Sequence, residues 1–431
     1  MSDVPGREHG RWEGALWLVL FVAVISIALW LRVANPPVTA RSPDERYYMY
    51  YAGQVVKAPL AAPHNLAAAY NSSPANWTYP IPLRIAYYYS IAAIMKLSGV
   101  HAEQAGVALS TFSSILQLAM VALVGLRFFN RWTTLVALAL LAVSPQDLAM
   151  ARRVWGDGVS GCAAMIILWL CAEICTRRRA RVWYALLWTC GAYFLLLKES
   201  GGFFLGFCAL GLAVHSWRRD RSWKHVAWIL AGAAGTGIFS FALMARLCGG
   251  AAAALETVHH SAQAAPTNLY GALYQSGPWY SFPLGLWILS PLTAFGCAAG
   301  LIALILPENS LGDVLGLDRQ QREIASGMGV LILLVIAAAT LPPALKNLRY
   351  ISFIAGPWYL MGALGLSYIM GRLRSGLGHR AAVPLTAIAA FAVLYSCRTD
   401  YLRFRRIILR RDVKDLDIRQ IVTSPFDGAG S

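Results

Sequence analysis

The chain has 431 residues, 58% of them hydrophobic and only 13% charged, where ordinary globular proteins carry about 25% charged residues. That composition excludes a large soluble enzyme, a disordered chain and a disulfide-framed secreted module, and leaves an all-α polytopic membrane protein. The net charge of +16 is spread in short basic clusters between apolar runs, the positive-inside pattern of membrane proteins and not a nucleic-acid groove.

The chain opens on a polar stretch with Arg7 and Arg11, followed by an apolar run at 14–33. The run is too long for a signal-peptide core and no small-residue cleavage site follows, so it is expected to stay as a first span with a cytoplasmic N-terminus. Further apolar runs at 105–126, 133–150, 159–175, 182–197, 201–214, 226–244, 282–306, 327–341, 350–370 and 381–395 give about eleven spans, at about 20 residues per crossing. They define a transmembrane domain over 1–397.

Alternate connections then carry Arg127 and Arg131, Arg177 to Arg179 with Arg181, Arg218, Arg219, Arg221 and Lys224, and Arg372, Arg374 and Arg380, all on the cytoplasmic side. An odd span count puts the polar tail 398–431, with its arginines, outside and against the rule. Either that tail lies on the extracytoplasmic surface or the count is off by one.

Three outward segments remain. The longest, 34–104, contains Arg41-Ser-Pro-Asp44-Glu45-Arg46-Tyr47-Tyr48 and Tyr79-Pro80-Ile-Pro82. A helix starting after Pro43 places Tyr47, Tyr51 and Val55 on one face, as in an amphipathic helix lying on the membrane surface. Asp44 and Glu45 fall at its N-terminus, where capping is the alternative to chemistry. The apolar stretch 83–97 is expected to be a juxtamembrane helix, because counting it as a span exports most of the arginine clusters.

In the second segment, Arg152 and Arg153 face outward against the charge trend and Asp157 sits at the mouth of the next span. A surface Arg–Asp pair is the plainer alternative. The third segment is Lys198-Glu199-Ser-Gly-Gly, where the alternative is a snorkelling lysine beside an acid. All three fall at one membrane face.

Other features are weaker. The eight cysteines form no CxxC pair and read as packed thiols, with Cys248 and Cys397 the one pair worth considering for a bridge. Adjacent histidines such as His259-His260 point in different directions on a helix, which argues against a metal pair. Asn71 and Asn76 fit the glycosylation acceptor pattern but read as ordinary polar loop residues.

In their order along the chain these features resemble the GT-C membrane glycosyltransferases of the protein O-mannosyltransferase and lipid A aminoarabinose transferase type. The matching pieces are Pro43-Asp44-Glu45-Arg46-Tyr47, Tyr79-Pro80-Ile-Pro82-Leu83, Ser144-Pro145 with Arg152 and Asp157, Leu196-Leu197-Lys198, Gly277-Pro278-Trp279-Tyr280 and Lys346-Asn-Leu-Arg349-Tyr350. One departure is Pro80-Ile-Pro82, where the family usually has adjacent prolines.

The resemblance implies transfer of a sugar from a polyprenyl-phosphate donor to an acceptor hydroxyl of a protein, lipid or glycan. Asp44 would take the acceptor proton in an inverting displacement with an oxocarbenium-like transition state. Glu45 and Asp157 would orient the acceptor or support Asp44. Lys198 and Arg349, with Tyr350 and a contribution from Arg152 or Arg153, would meet the departing phosphate. Tyr47, Pro80 and Pro82 would position the loop or the substrate.

No cofactor is expected, nothing in the sequence supports a divalent cation, and the location implied is a membrane, the cytoplasmic one if the source is a bacterium, with the active site outside. Two alternatives stand beside this. Arg349-Tyr350 also suits an interfacial anchor. A transporter or lipid flippase would carry midplane charges and an internal repeat, whereas here the charges gather at one face and no repeat is evident.

Overall fold

The structure, a computed structural model, describes residues 6–34, 41–176, 181–306, 314–341, 346–377, 382–410 and 416–423. It is helical because a chain surrounded by hydrocarbon must satisfy its backbone hydrogen bonds within each segment. Among the described residues the one strand-like pairing outside helices is an antiparallel bridge between Asn347 and Asp417.

Six helices are long and apolar enough to cross a bilayer: Trp12–Ala34, Ala102–Phe128, Gly156–Thr176, Trp223–Leu247, Arg319–Thr340 and Leu348–Leu377. A bent pair, Arg131–Ala142 with Pro145–Ala151, makes a seventh, and Arg181–Leu197 and Pro291–Ile305 are shorter apolar helices. The expected run at 201–214 and the described part of the run at 381–395, from Ala382, are also helical, within Gly201–Asp220 and Ala382–Arg403. Large apolar side chains face outward along these helices, Val19 at 65%, Ile238 at 70% and Phe391 at 69% exposure. Such a continuous apolar exterior is solvated only by lipid, so the chain is a multi-pass membrane protein.

Two expected spans are broken. The run 133–150 bends by 59° at Val143 and Ser144, where Pro145 starts the second piece and the Ser144 hydroxyl accepts from the Asp147 amide at 3.2 Å. The run 282–306 divides at Ser290 into Ser281–Leu289 and Pro291–Ile305. In both, the proline lacks an N–H and pushes the residue before it out of the helical region. The stretch 83–97 forms the short helix Ile85–Ser98, ended by Gly99 at a φ of 71°, packed against Pro43–Lys57 and Ala102–Phe128.

The core is anchored by the packing of Pro291–Ile305 on Ala355–Leu377, where a Cβ on Gly365 would stand 1.8 Å from the Gly296 carbonyl oxygen. Only glycine allows this approach, and small residues let membrane helices pack closely. The same long helix is preceded by the tight turn Leu348–Ile354, so its placement fixes Arg349.

Packing places two further features. Cys248 and Cys397 are free thiols, one capping Trp223–Leu247 and the other inside Ala382–Arg403, and these helices have different neighbours: Trp223–Leu247 packs on Arg181–Leu197 and Gly201–Asp220, while Ala382–Arg403 packs on Ala355–Leu377 and Arg131–Ala142. The expected boundary between 397 and 398 falls inside the helix Ala382–Arg403. Beyond it, Ile418–Thr423 returns to pack on Leu269–Tyr274 and Ser281–Leu289. Of the expected cytoplasmic arginines, Arg177, Arg178, Arg179 and Arg380 lie outside the described residues.

Candidate active site

The helix Pro43–Lys57 separates the two adjacent acids. Ser42 is its N-cap and Glu45 completes the capping box, its Oε2 accepting from the Ser42 amide at 2.8 Å. Glu45 Oε1 also accepts from Arg41 Nη1 at 3.0 Å and from the Val154 amide at 2.9 Å, and Oε2 from Arg153 Nη1 at 3.0 Å. The side chain is 0% exposed. Glu45 therefore takes the capping role and ties this helix to the 152–155 turn.

The arginines of that turn are also used by the fold. Arg153 is 1% exposed, sits in the Glu45 pair, and lies 4.7 Å from the Trp155 ring centre. Arg152 donates to the Arg32 carbonyl at 3.1 Å. These bonds make Arg152 and Arg153 braces of the turn that leads into Asp157.

Asp44, one residue earlier, points the other way. Arg349 Nη2 donates to Asp44 Oδ2 at 2.8 Å, and the Arg349 Nε lies 3.9 Å from Asp157 Oδ2. Lys198 Nζ forms an ion pair with Asp157 Oδ1. Lys198 also lies 5.2 Å from the Tyr350 ring and 5.1 Å from the Phe353 ring, and Arg349 lies 5.0 Å from Trp155 and 5.8 Å from Tyr350. Side-chain exposure is 5% for Lys198, 7% for Arg349 and 11% for Asp157, but 32% for Asp44. Asp44, Asp157, Lys198, Arg349 and Tyr350 are thus gathered into one cluster, and Asp44 is the carboxylate among them that opens to the outside.

Packing lets the segments meet. Gly161 faces the Ser352 carbonyl, which a Cβ would approach to 3.0 Å, so the helix carrying Asp157 lies directly against the turn carrying Arg349. Buried cations and anions of this kind depend on one another, because removing one partner leaves the other desolvated and unpaired.

The cluster includes Arg84, which sequence reasoning passed over, and Glu199, which it noted only as the acid beside Lys198. Arg84 grips Glu199 with two bonds, Nε to Oε2 at 3.0 Å and Nη2 to Oε1 at 2.5 Å, and its Nη1 donates to the Tyr48 hydroxyl. The signal was the Pro80-Ile-Pro82 segment just upstream. The Pro80 carbonyl accepts from the Tyr51 hydroxyl at 2.8 Å and the Pro82 carbonyl from Tyr88 at 3.0 Å, so these prolines shape the loop that delivers Arg84. Tyr47 stacks on Tyr79 with ring centres 4.0 Å apart, bracing the same loop.

The electrostatics follow from the geometry. Against the cost of desolvation, the Arg84 guanidinium holds the Glu199 carboxyl down to about 2. Burial lowers the Lys198 ammonium, opposed by Asp157. Burial and then the Tyr79 hydrogen bond push the Tyr47 phenol up to about 12. Three acids, Asp44, Asp157 and Glu199, face three cations, Arg84, Lys198 and Arg349, and the cluster is charge-balanced.

The remaining polar features are accounted for locally. His260 stacks on Trp77 at 3.9 Å and His259 pairs with Gln263 at 2.9 Å. The amide of Asn71 donates to the Ala253 carbonyl and that of Asn76 to the Ala69 carbonyl. Among the described residues no group of three or more His, Cys, Asp or Glu could hold a metal ion.

Residues 82–244 match the family model of dolichyl-phosphate-mannose-protein mannosyltransferases, a stretch that includes Arg84, Asp157, Lys198 and Glu199. No curated protein matches the chain by sequence. By structure the chain is similar to ArnT from Cupriavidus metallidurans in the apo state, with 15% identity and a TM-score of 0.51 over 96% of this chain and 76% of that one. It is similar also to the Archaeoglobus fulgidus oligosaccharyltransferase, at 15% identity and a TM-score of 0.57 over 89% and 52% of the two chains. A third is the arabinosyltransferase EmbB from Mycobacterium smegmatis, at 14% identity and a TM-score of 0.50 over 95% and 39%. The chain thus spans about half the length of the oligosaccharyltransferase and less of EmbB. The fold is thus the GT-C fold of these membrane glycosyltransferases, and residues 82–244 carry the pattern of the dolichyl-phosphate-mannose-protein mannosyltransferases.

Proposed function

We propose that this protein transfers a sugar from a polyprenyl-phosphate donor to an acceptor hydroxyl on the extracytoplasmic side, with Asp44 as general base. The observation that carries this is the direct ion pair of Asp44 with Arg349, a buried cation suited to a phosphate, Asp44 being the more exposed of the two carboxylates beside that arginine. Support for the donor class comes from a similar structure, ArnT from Cupriavidus metallidurans bound to undecaprenyl phosphate.

In this mechanism the donor phosphate enters beside Lys198 and Arg349, which keep their contacts to the Asp157 carboxylate. Arginine supplies two parallel donors and lysine a point charge. As the bond from the anomeric carbon to the phosphate oxygen breaks, negative charge grows on that oxygen, where preplaced cations act most strongly. Asp44 takes the acceptor proton as the acceptor oxygen attacks the opposite face of the sugar, giving inversion. Asp157 holds Lys198 and Arg349 in place, and Arg84 with Glu199 braces the wall of the site.

The test is transfer by purified protein from a polyprenyl-phosphate sugar. Asp44→Asn should leave the protein folded and lower transfer by about 10²- to 10⁴-fold, the usual contribution of a positioned base. Near-normal transfer by this variant would remove Asp44 from the chemistry.

A further inference from the structure

We infer that the C-terminal segment 416–423 is a latch that positions Arg349, and that Asp417 is its positioning residue. This role rests on the phosphate-binding function proposed for Arg349.

Asp417 is fully buried, although it lies close to the end of the chain in a segment that composition marks as a polar tail. Its Oδ1 accepts from Gln275 Nε2 at 3.0 Å and from Asn347 Nδ2 at 2.9 Å, and its Oδ2 from the Tyr270 hydroxyl at 2.5 Å. One carboxylate thus ties together segments far apart in sequence. Backbone bonds reinforce it: the Leu348 amide donates to the Leu416 carbonyl at 3.2 Å, the Ile418 amide to the Lys346 carbonyl at 3.3 Å, and the Lys346 amide to the Gln275 carbonyl at 2.6 Å. Arg419 adds a bond to the Leu273 carbonyl at 3.0 Å.

Asn347 links the latch to the site. Its amide nitrogen donates to Asp417 while its Oδ1 accepts from the Arg349 backbone amide at 2.9 Å. The Arg349 backbone is therefore two hydrogen bonds from Asp417, and its guanidinium meets Asp44. A carboxylate at 417 accepts from all three donors at once, whereas an amide there turns an N–H₂ toward at least one of them. Loosening 346–348 shifts the base of a side chain whose far end must meet a phosphate within hydrogen-bond reach, and shifts of about 1 Å are enough to break such bonds.

The latch also bears on topology. Residues 416–418 pair with the segment leading directly into Arg349, so this part of the chain lies at the same face as the active site.

The experiment uses the full chain in detergent micelles, with undecaprenyl phosphate as the binding probe and hydrogen exchange as a readout independent of binding. Asp417→Asn should speed exchange of the Leu348 and Ile418 amides and weaken undecaprenyl phosphate by about tenfold, as follows when one charge-assisted bond to the phosphate is misplaced. In an Arg349→Ala background the same substitution should weaken the probe by no more than about twofold, because the positioned group is gone. Should Asp417→Asn fail to accumulate, Tyr270→Phe removes a single donor and should speed exchange at the same two amides.

Unchanged exchange at Leu348 and Ile418 overturns the latch, as does a tenfold binding loss that persists undiminished without the Arg349 side chain. Failure of the donor proposal looks different: Arg349→Ala alone would leave undecaprenyl phosphate binding unchanged.

Discussion

Adjacent carboxylates with opposite roles should give opposite phenotypes, and Glu45→Gln tests this against Asp44→Asn. Glu45 accepts four hydrogen bonds, two from arginines, and in its pair with Arg153 the side chains are 0% and 1% exposed. Glutamine keeps one accepting oxygen and turns an N–H₂ toward donors that the other oxygen now serves. Breaking a buried ion pair costs about 3–5 kcal/mol, equivalent to roughly a hundred- to a few thousandfold in the folding equilibrium. Thermal melting of the purified protein in detergent should therefore show Glu45→Gln strongly destabilised, with activity lost in proportion to folded protein. Asp44→Asn, at a 32% exposed site, should melt close to the parent yet fail to transfer. A Glu45→Gln protein that melts like the parent but loses transfer more than about a hundredfold would place Glu45 in the chemistry and refute the separation of roles.

Lys198→Ala and Arg349→Ala should each raise the donor KM by roughly ten- to a hundredfold while changing acceptor use little, and Arg349→Lys should remain impaired because lysine cannot bond bidentately; steady-state kinetics with each substrate varied will decide. Arg84→Ala should lower activity although no motif names the residue, through loss of the two-point grip on Glu199. The Glu199 carboxyl is held down to about 2 from its ordinary 4.5, so its contribution to stability is fully present above about pH 4.5 and is lost as pH falls toward 2. Melting temperatures recorded between pH 6 and 3 should fall less steeply for Glu199→Gln than for the parent. Leu60, 82% exposed in the first outward loop, should react as cysteine with an impermeant thiol reagent in intact cells, and Arg218→Cys should not; the reverse pattern would invert the topology.

The class of this protein and the positions of its apolar runs could be read from residue order alone, because hydrophobic run length and arginine placement report directly on the bilayer; the helix Ala251–Thr267, outside every such run, could not. The breaks at Ser144 and Ser290 are marked in the same way, each by the proline that follows. Loop parity also sorts Asp44, Asp157 and Lys198 to one face, since it divides residues between the two sides without reference to packing.

What each of those residues does there depends on the folded arrangement. Asp44 and Glu45 are neighbours with the same chemistry, and the direction each side chain takes from the first helical turn separates an open carboxylate from a buried brace. Lys198 and Glu199 likewise part company, one to Asp157 and the other to Arg84. Asp417 was invisible in a stretch that reads as polar tail, because its burial comes from Tyr270, Gln275 and Asn347, between 70 and 147 residues away along the chain. Long-range partners leave no local periodicity, so spacing and hydropathy report where a segment lies but only packing reports which atoms it meets.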